Sequence, residues 1–254
     1  MTILMVGAGS MSESLVKGWI ASGIIPQTIT MTNRADRGRL SELAERYGVQ
    51  IIEDENVESF DIVILAMQPD GVLPYVKSQT WTKQIIISVA AHITPDEIEN
   101  LSGCGAICAM PNTPVAFRTG MTGLWFGQHV STGQKEEAKA LFQRVGEVAE
   151  TDEATMPFLM AAAGCSPAFF YEIVGAMTPV LAEAGFEAQQ ARRIIAQAMK
   201  GSAELLLQDD RPTEALIDDV AAEGGPTARG VQVLRTHELD KIMRAALSES
   251  AREA

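Results

Sequence analysis

Met1-Thr2-Ile3-Leu4-Met5-Val6-Gly7-Ala8-Gly9-Ser10-Met11-Ser12-Glu13-Ser14 is the stretch that decides the fold. An apolar run enters a glycine turn, and the turn opens a helix with Leu15, Val16, Trp19 and Ile20 on one face. This is the first strand–turn–helix of a dinucleotide-binding fold. Gly7 permits the tight turn. Gly9 lets the backbone approach a pyrophosphate, which sits on the free N–H groups at the helix start. The full pattern has a third glycine where Ser12 stands. Glu13, in the first helical turn, reads as a partner of the helix dipole.

The rest of the first half continues the strand–helix rhythm of a doubly wound parallel sheet. Strands are expected at 29–32, 49–52, 61–66, 84–88, 106–109 and 123–127, with helices at 40–47 and 134–145. The run Asp61-Ile62-Val63-Ile64-Leu65-Ala66 is continuously apolar after its first residue, as a strand buried on both faces requires. Ligands of such sheets bind outside the carboxyl ends of the strands. The segments after Ala66 and Ser88, and the stiff Met110-Pro111-Asn112-Thr113-Pro114 loop, are therefore expected to wall the cofactor. The second strand ends in Asn33-Arg34, with no acid at its end to take a ribose 2′-hydroxyl. Arg34, with Arg37 and Arg39 close behind, suits a 2′-phosphate, so NADPH is expected ahead of NADH. The same arginines also fit a solvated helix start.

After Asp152 strand signals vanish. Domains are expected at 1–150, for the dinucleotide, and 151–254, all-helical. An apolar segment at 154–163 is interrupted by Gly164-Cys165-Ser166-Pro167, and Pro167 opens the next helix. That helix is apolar nearly all round and is expected to be buried, stopped by Gly185. Further helices are expected at 189–207, 213–220 and 239–253, with a second glycine turn, Gly224-Gly225-Pro226-Thr227, before another helix. So apolar a helix in so small a domain points to a partner subunit that completes the core, hence at least a dimer.

Composition narrows the classes. A hydrophobic share of 46% and a charged share of 21% are those of a globular chain. The formal net charge of −13 and the lack of a basic stripe argue against nucleic acid. No uninterrupted apolar stretch is long enough for a bilayer, and no basic leader precedes the first strand, so a cytoplasmic protein is expected. Cys104, Cys108 and Cys165 read as free thiols of a reducing compartment; the first two are expected to be buried and inert, and Cys165 either packs or reacts. His92, His129 and His237 have no metal-ligand spacing, and His92 reads as a surface residue.

Taken together, Gly7-Ala8-Gly9-Ser10-Met11, Asn33-Arg34, Ser88-Val89-Ala90-Ala91, Met110-Pro111-Asn112-Thr113-Pro114, Gly164 with Pro167-Ala168, and Gly224-Gly225-Pro226-Thr227 resemble the pyrroline-5-carboxylate reductase family. The resemblance covers essentially the whole chain. It implies a Rossmann-like domain, a helical dimerisation domain with assemblies of dimers in many members, and NAD(P)H-dependent reduction of a cyclic imine to proline. It assigns the hydroxyl that orients the imine nitrogen to Thr227, and the substrate carboxylate to the turn at Gly224, Gly225 and Thr227. On the cofactor side it implies Gly7, Gly9, Ser10, Met11, Asn33, Arg34, Ala66, Met67, Gln68, Pro69, Ala90, Pro111 and Asn112. The glycine turn also fits an ordinary helix start, since proline favours the first turn.

Several positions depart from the family pattern. Ala222-Glu223 stands where a Ser-Pro pair is usual, Pro226 where a residue with an N–H is usual, and Gln68 where a lysine is usual. Cys165-Ser166 replaces Ser-Gly, and His92 replaces a glycine. The alternatives to proline formation are reduction of a different cyclic imine, such as one lacking a carboxylate, and a cofactor-binding homologue without turnover.

Overall fold

A computed structural model describes residues 1–34, 36–53 and 56–252 of the 254. In chain order the elements are β1 (Ile3–Val6), α1 (Ser10–Ala21), β2 (Ile29–Thr32), α2 (Arg37–Tyr47), β3 (Gln50–Ile51), β4 (Ile62–Leu65), α3 (Pro69–Ser78), β5 (Ile85–Ser88), α4 (Pro95–Ser102), β6 (Ala106–Pro111), β7 (Gly120–Phe126), α5 (Thr132–Gln143) and β8 (Gly146–Thr151). The helices α6 (Met156–Leu159), α7 (Ser166–Glu183), α8 (Ala188–Gln208), α9 (Thr213–Val220), α10 (Pro226–Thr236) and α11 (Leu239–Ala251) follow. The expected end of α11 at Glu253 lies outside the described residues. The chain divides into two compact units, Met1–Gly164 with Ser250–Ala254, and Cys165–Glu249.

The first unit is one sheet of order β3-β2-β1-β4-β5-β6-β7-β8. Six strands, β3 to β6 in that order, run parallel; β7 pairs antiparallel to β6, and β8 parallel to β7. Both faces are covered, which explains the unbroken apolar strands. On one face Leu15, Val16 and Trp19 of α1 pack with Leu141 and Phe142 of α5. Trp19 donates through Nε1 to the Leu141 carbonyl at 3.0 Å, and its ring meets Phe142 edge-on, so the buried indole loses no hydrogen bond. On the other face Val72 and Val76 of α3 and Ile98 of α4 cover the sheet. Capping boxes start α4 at Thr94 and α5 at Ser131. Each is worth about 1 kcal/mol.

Cys104 and Cys108 are buried, as expected, and all three cysteines are free thiols. Burial pushes the Cys108 thiol up to about 12, so it carries no thiolate near neutrality.

The first compact unit runs on past the end of β8 because Met156 and Leu159 of α6 pack against Gly123 of β7. The expected interruption at Gly164-Cys165-Ser166-Pro167 is not a break. A π-helical turn, Met160–Cys165, joins α6 to α7 just before Pro167, which lacks the N–H that a continuous α-helix would use there. Met156–Glu183 is thus one helix of 28 residues with an 18-residue window of mean hydropathy 1.4, long and apolar enough to cross a membrane by length and composition alone. That corrects the expectation of no such stretch, which counted the two halves separately.

In the second unit the apolar α7 is not buried within the single chain. Among the described residues of Cys165–Glu249, Ser166, Ala191 and Ile195 alone are buried. Phe170, Tyr171, Met177 and Val180 of α7 are exposed, as are Leu205, Leu206 and Leu207 of α8. The side chains expected to form a core have too few partners in one copy.

Candidate active site

The site of the first unit begins at the end of β1. Gly7 has φ +120, and a Cβ added there would lie 2.3 Å from the Ala66 carbonyl oxygen at the end of β4. Only glycine fits both the backbone angle and the approach. Gly9 is the N-cap of α1, and an added Cβ would meet nothing within 4 Å. No side chain caps the first turn, so its N–H groups face open space. Ser12, in place of the third glycine, is fully buried, and its hydroxyl has no partner among the described residues.

A cavity of about 540 Å³ lies over this turn. It is lined by Gly7, Gly9, Ser10 and Met11 from the turn, Asn33 after β2, and Ala66, Met67 and Gln68 after β4. Eight expected cofactor residues thus meet in one place, at the carboxyl ends of β1, β2 and β4, where the strand order reverses direction. Arg34 lines an adjoining cavity of about 380 Å³, again with Gly7, Asn33 and Met67. A cradle with backbone room at Gly9, uncapped helix N–H groups and a guanidinium near the end of β2 fits a dinucleotide phosphate.

Four expected residues do not line either cavity. Pro69 begins α3 directly after Gln68. Ala90 is buried, and its N–H donates to Ser88 Oγ at 3.2 Å. Pro111 ends β6 in register with Thr122. Asn112 is engaged within the unit: its amide donates to the Ala163 carbonyl at 2.9 Å and accepts the Met121 N–H at 2.8 Å. Pro111, Asn112 and Ala90 nonetheless stand at the carboxyl ends of β6 and β5.

The structure adds Asp36, which the sequence did not single out, and gives Arg39 and Glu13 definite partners. Asp36 lines the larger cavity, so a carboxylate does reach this region, four residues beyond the strand end. It is legible in sequence as the N-cap of α2, and its Oδ1 accepts the Arg39 N–H at 2.8 Å. Arg39 lines the cavity too. Arg37 instead pairs with Glu53 at 2.6 Å. Glu13 is more than a dipole partner: it accepts from Arg39, from Arg46 at 2.7 Å and from the Tyr47 hydroxyl at 2.9 Å. His92 is exposed, as expected, with φ +61, and lines a separate cavity of about 300 Å³ with Cys108, Trp125 and Glu153.

In the second unit the glycine turn precedes α10 as expected. Gly224 has φ +71, a left-handed position that suits glycine, and the Gly225 N–H closes the turn on the Ala222 carbonyl at 2.9 Å. That N–H is therefore already used, and Pro226 has none. Thr227 is exposed in the first turn of α10, and its hydroxyl has no partner among the described residues. Glu223 is exposed, and Arg229 donates through Nη1 to the Gly224 carbonyl at 2.7 Å.

The sheet and its glycine cradle define a dinucleotide-binding protein of the Rossmann class, followed by a helical unit with an uncovered apolar face. Residues 2–92 match the family model described as NADP oxidoreductase, coenzyme F420-dependent, and residues 153–254 match the one for pyrroline-5-carboxylate reductase dimerisation. Pyrroline-5-carboxylate reductase 2 of Bacillus subtilis is 33% identical over 262 residues, covering 98% of this chain and 92% of that protein. The structure of a pyrroline-5-carboxylate reductase from Coxiella burnetii superposes with a TM-score of 0.88 at 29% identity, covering 98% of this chain and 96% of that one. That of the Plasmodium falciparum pyrroline carboxylate reductase with NADP bound gives 0.82 at 22% identity, covering 99% and 95%. The chain belongs to the pyrroline-5-carboxylate reductase family.

Proposed function

We propose that this protein reduces 1-pyrroline-5-carboxylate to L-proline with NAD(P)H, by hydride transfer to the C=N carbon. The observation that carries the reading is the cradle at Gly7 and Gly9, which brings eight of the residues implied by the family pattern into one cavity. The nicotinamide dinucleotide, when bound, supplies the hydride. Gly9, Ser10 and Met11 hold the pyrophosphate on backbone N–H groups. Asn33 and Arg34 take the adenine ribose, and the guanidinium favours NADPH over NADH. Ala66, Met67, Gln68 and Pro69 form one wall, and Ala90, Pro111 and Asn112 frame the nicotinamide end.

A protonated imine is already electrophilic, so the protein mainly positions it. Thr227 orients the imine nitrogen through its hydroxyl and is the catalytic residue. The turn at Gly224 and Gly225 and the first N–H groups of α10 hold the carboxylate. The active form is a homodimer or an assembly of dimers in the cytoplasm.

A second reading, reduction of a cyclic imine without a carboxylate, is favoured by one cluster of observations. Glu223 is an exposed carboxylate at the turn, Pro226 offers no donor, and the Gly225 N–H is engaged. NADPH oxidation by the purified protein separates the two, with pyrroline-5-carboxylate and 1-pyrroline as substrates and NADH in parallel. The expected result is turnover of pyrroline-5-carboxylate with the higher kcat/KM, and NADPH preferred. Turnover of 1-pyrroline alone would establish the second reading. Oxidation with neither imine, while NADPH still binds, would leave a cofactor-binding homologue.

A further inference from the structure

Apart from Arg34 in the adjoining cavity, the cavity over the glycine turn holds a guanidinium of its own. Arg39 lines it beside Asn33 and Asp36. Its head group is fixed from behind by two carboxylates: Nη2 donates to Glu13 of α1, and Nη1 to Glu42 Oε2 at 2.8 Å. A guanidinium has five N–H groups, so two are used and three have no partner among the described residues. Glu13 is itself held, by Arg46 at 2.7 Å and by the Tyr47 hydroxyl at 2.9 Å. Burial acts to raise its carboxyl pKa, but the Tyr47 hydroxyl and the two guanidinium groups outweigh it and hold it below the usual range. Glu13 is therefore a fixed anion at neutral pH.

Charge bookkeeping in the cavity shows why a further cation matters. A 2′-phosphate carries up to two negative charges, and Asp36 adds a carboxylate to the same wall. Arg34 lines the adjoining cavity, so Arg39 is the guanidinium that shares this wall with Asp36. Arg39 offsets Asp36, and its side-chain entropy is already lost to Glu13 and Glu42 before any ligand arrives. Arg37 lines neither of these two cavities and turns to Glu53 instead.

We propose that Arg39 binds the 2′-phosphate of NADP(H), and that Glu13 is the positioning residue that aims it. This rests on the cofactor reading above and not on the identity of the imine. It implies that discrimination between NADPH and NADH depends on an ion pair between α1 and α2, outside the loop that follows β2.

Calorimetry on the full-length protein with adenosine 2′,5′-bisphosphate and with 5′-AMP tests it without any turnover. The wild type should bind the bisphosphate more tightly. Arg39→Gln should weaken the bisphosphate by about tenfold, one charge-assisted contact, and leave 5′-AMP nearly unchanged. Glu13→Gln should weaken it in the same direction but less. The double variant should be no worse than Arg39→Gln alone, since Glu13 acts through Arg39. Glu45→Gln, at an exposed position of α2 outside this network, should keep the discrimination, which controls for general changes to α2. In turnover, Arg39→Gln should raise KM for NADPH with kcat little changed. Equal losses on both nucleotides, or additive effects of the two variants, would overturn the proposal. A wild type that bound the bisphosphate no better than 5′-AMP would overturn it as well, whereas a wild type that bound neither would refute the cofactor reading itself.

Discussion

Gly7→Ala is expected to abolish NADPH binding and to destabilise the first unit by about 3 kcal/mol. Two causes act together. Position 7 has φ +120, which an L side chain rarely adopts, and the new methyl would sit 2.3 Å from the Ala66 carbonyl oxygen. That oxygen belongs to backbone at the end of the central strand β4 and has nowhere to move. Relief requires β1 to part from β4 or α1 to swing away, and either motion withdraws the first-turn N–H groups from the pyrophosphate. Gly9→Ala is the contrast. Its φ of −74 is ordinary and an added Cβ meets nothing, so the fold should keep its denaturation midpoint. Its methyl would nonetheless stand in the open approach to the helix start, and NADPH affinity should fall about tenfold. Urea unfolding and NADPH titration of both variants check the pair. Equal stability loss in the two would show that the contact at Ala66 is not what selects glycine.

Thr227→Val should lower kcat for pyrroline-5-carboxylate by about a hundredfold, the scale on which a reacting group misplaced by about 1 Å slows a reaction. The thermal midpoint should not change, because the hydroxyl is exposed and makes no hydrogen bond among the described residues. KM for NADPH should also hold, since the cradle lies in the other compact unit. Thr227→Ser keeps a hydroxyl and should retain most of the rate. Steady-state kinetics on the three proteins decide it. A valine variant with full kcat would move the orienting role away from α10.

Local pattern made much of this fold legible. The run Ile29-Thr30-Met31-Thr32 and the helix Thr213–Val220 lie at their expected bounds, because a β-branched run or a proline-led helix start specifies itself. Strand β8 was hidden by its composition. Gly146–Thr151 is a half-exposed strand carrying Glu147 and Glu150, and its pairing with β7 cannot be read from its own residues. Helix α3 is masked by Pro69 and Pro74, of which the first occupies a helix start and the second lies inside. The cofactor cradle was legible because a glycine turn between strand and helix is local. The ion pairs of Glu13 with Arg39 and Arg46 were not, since their partners are 26 and 33 residues apart. The apolarity of α7 was legible, but composition does not say which molecule covers it: the helix is exposed in one chain, and a partner subunit was expected to complete the core.

In the homodimer proposed above, the uncovered face of α7 and α8 makes stability a matter of mass action. Where folding is completed by a second copy, the free energy of the native state contains the logarithm of protomer concentration. Dilution should lower the thermal midpoint without altering any bond within the chain. An isologous contact through α7 would also count every side chain twice, so a single weakening substitution there would be felt from both sides at once. The amount of protein present thus helps to decide what fraction of it is folded.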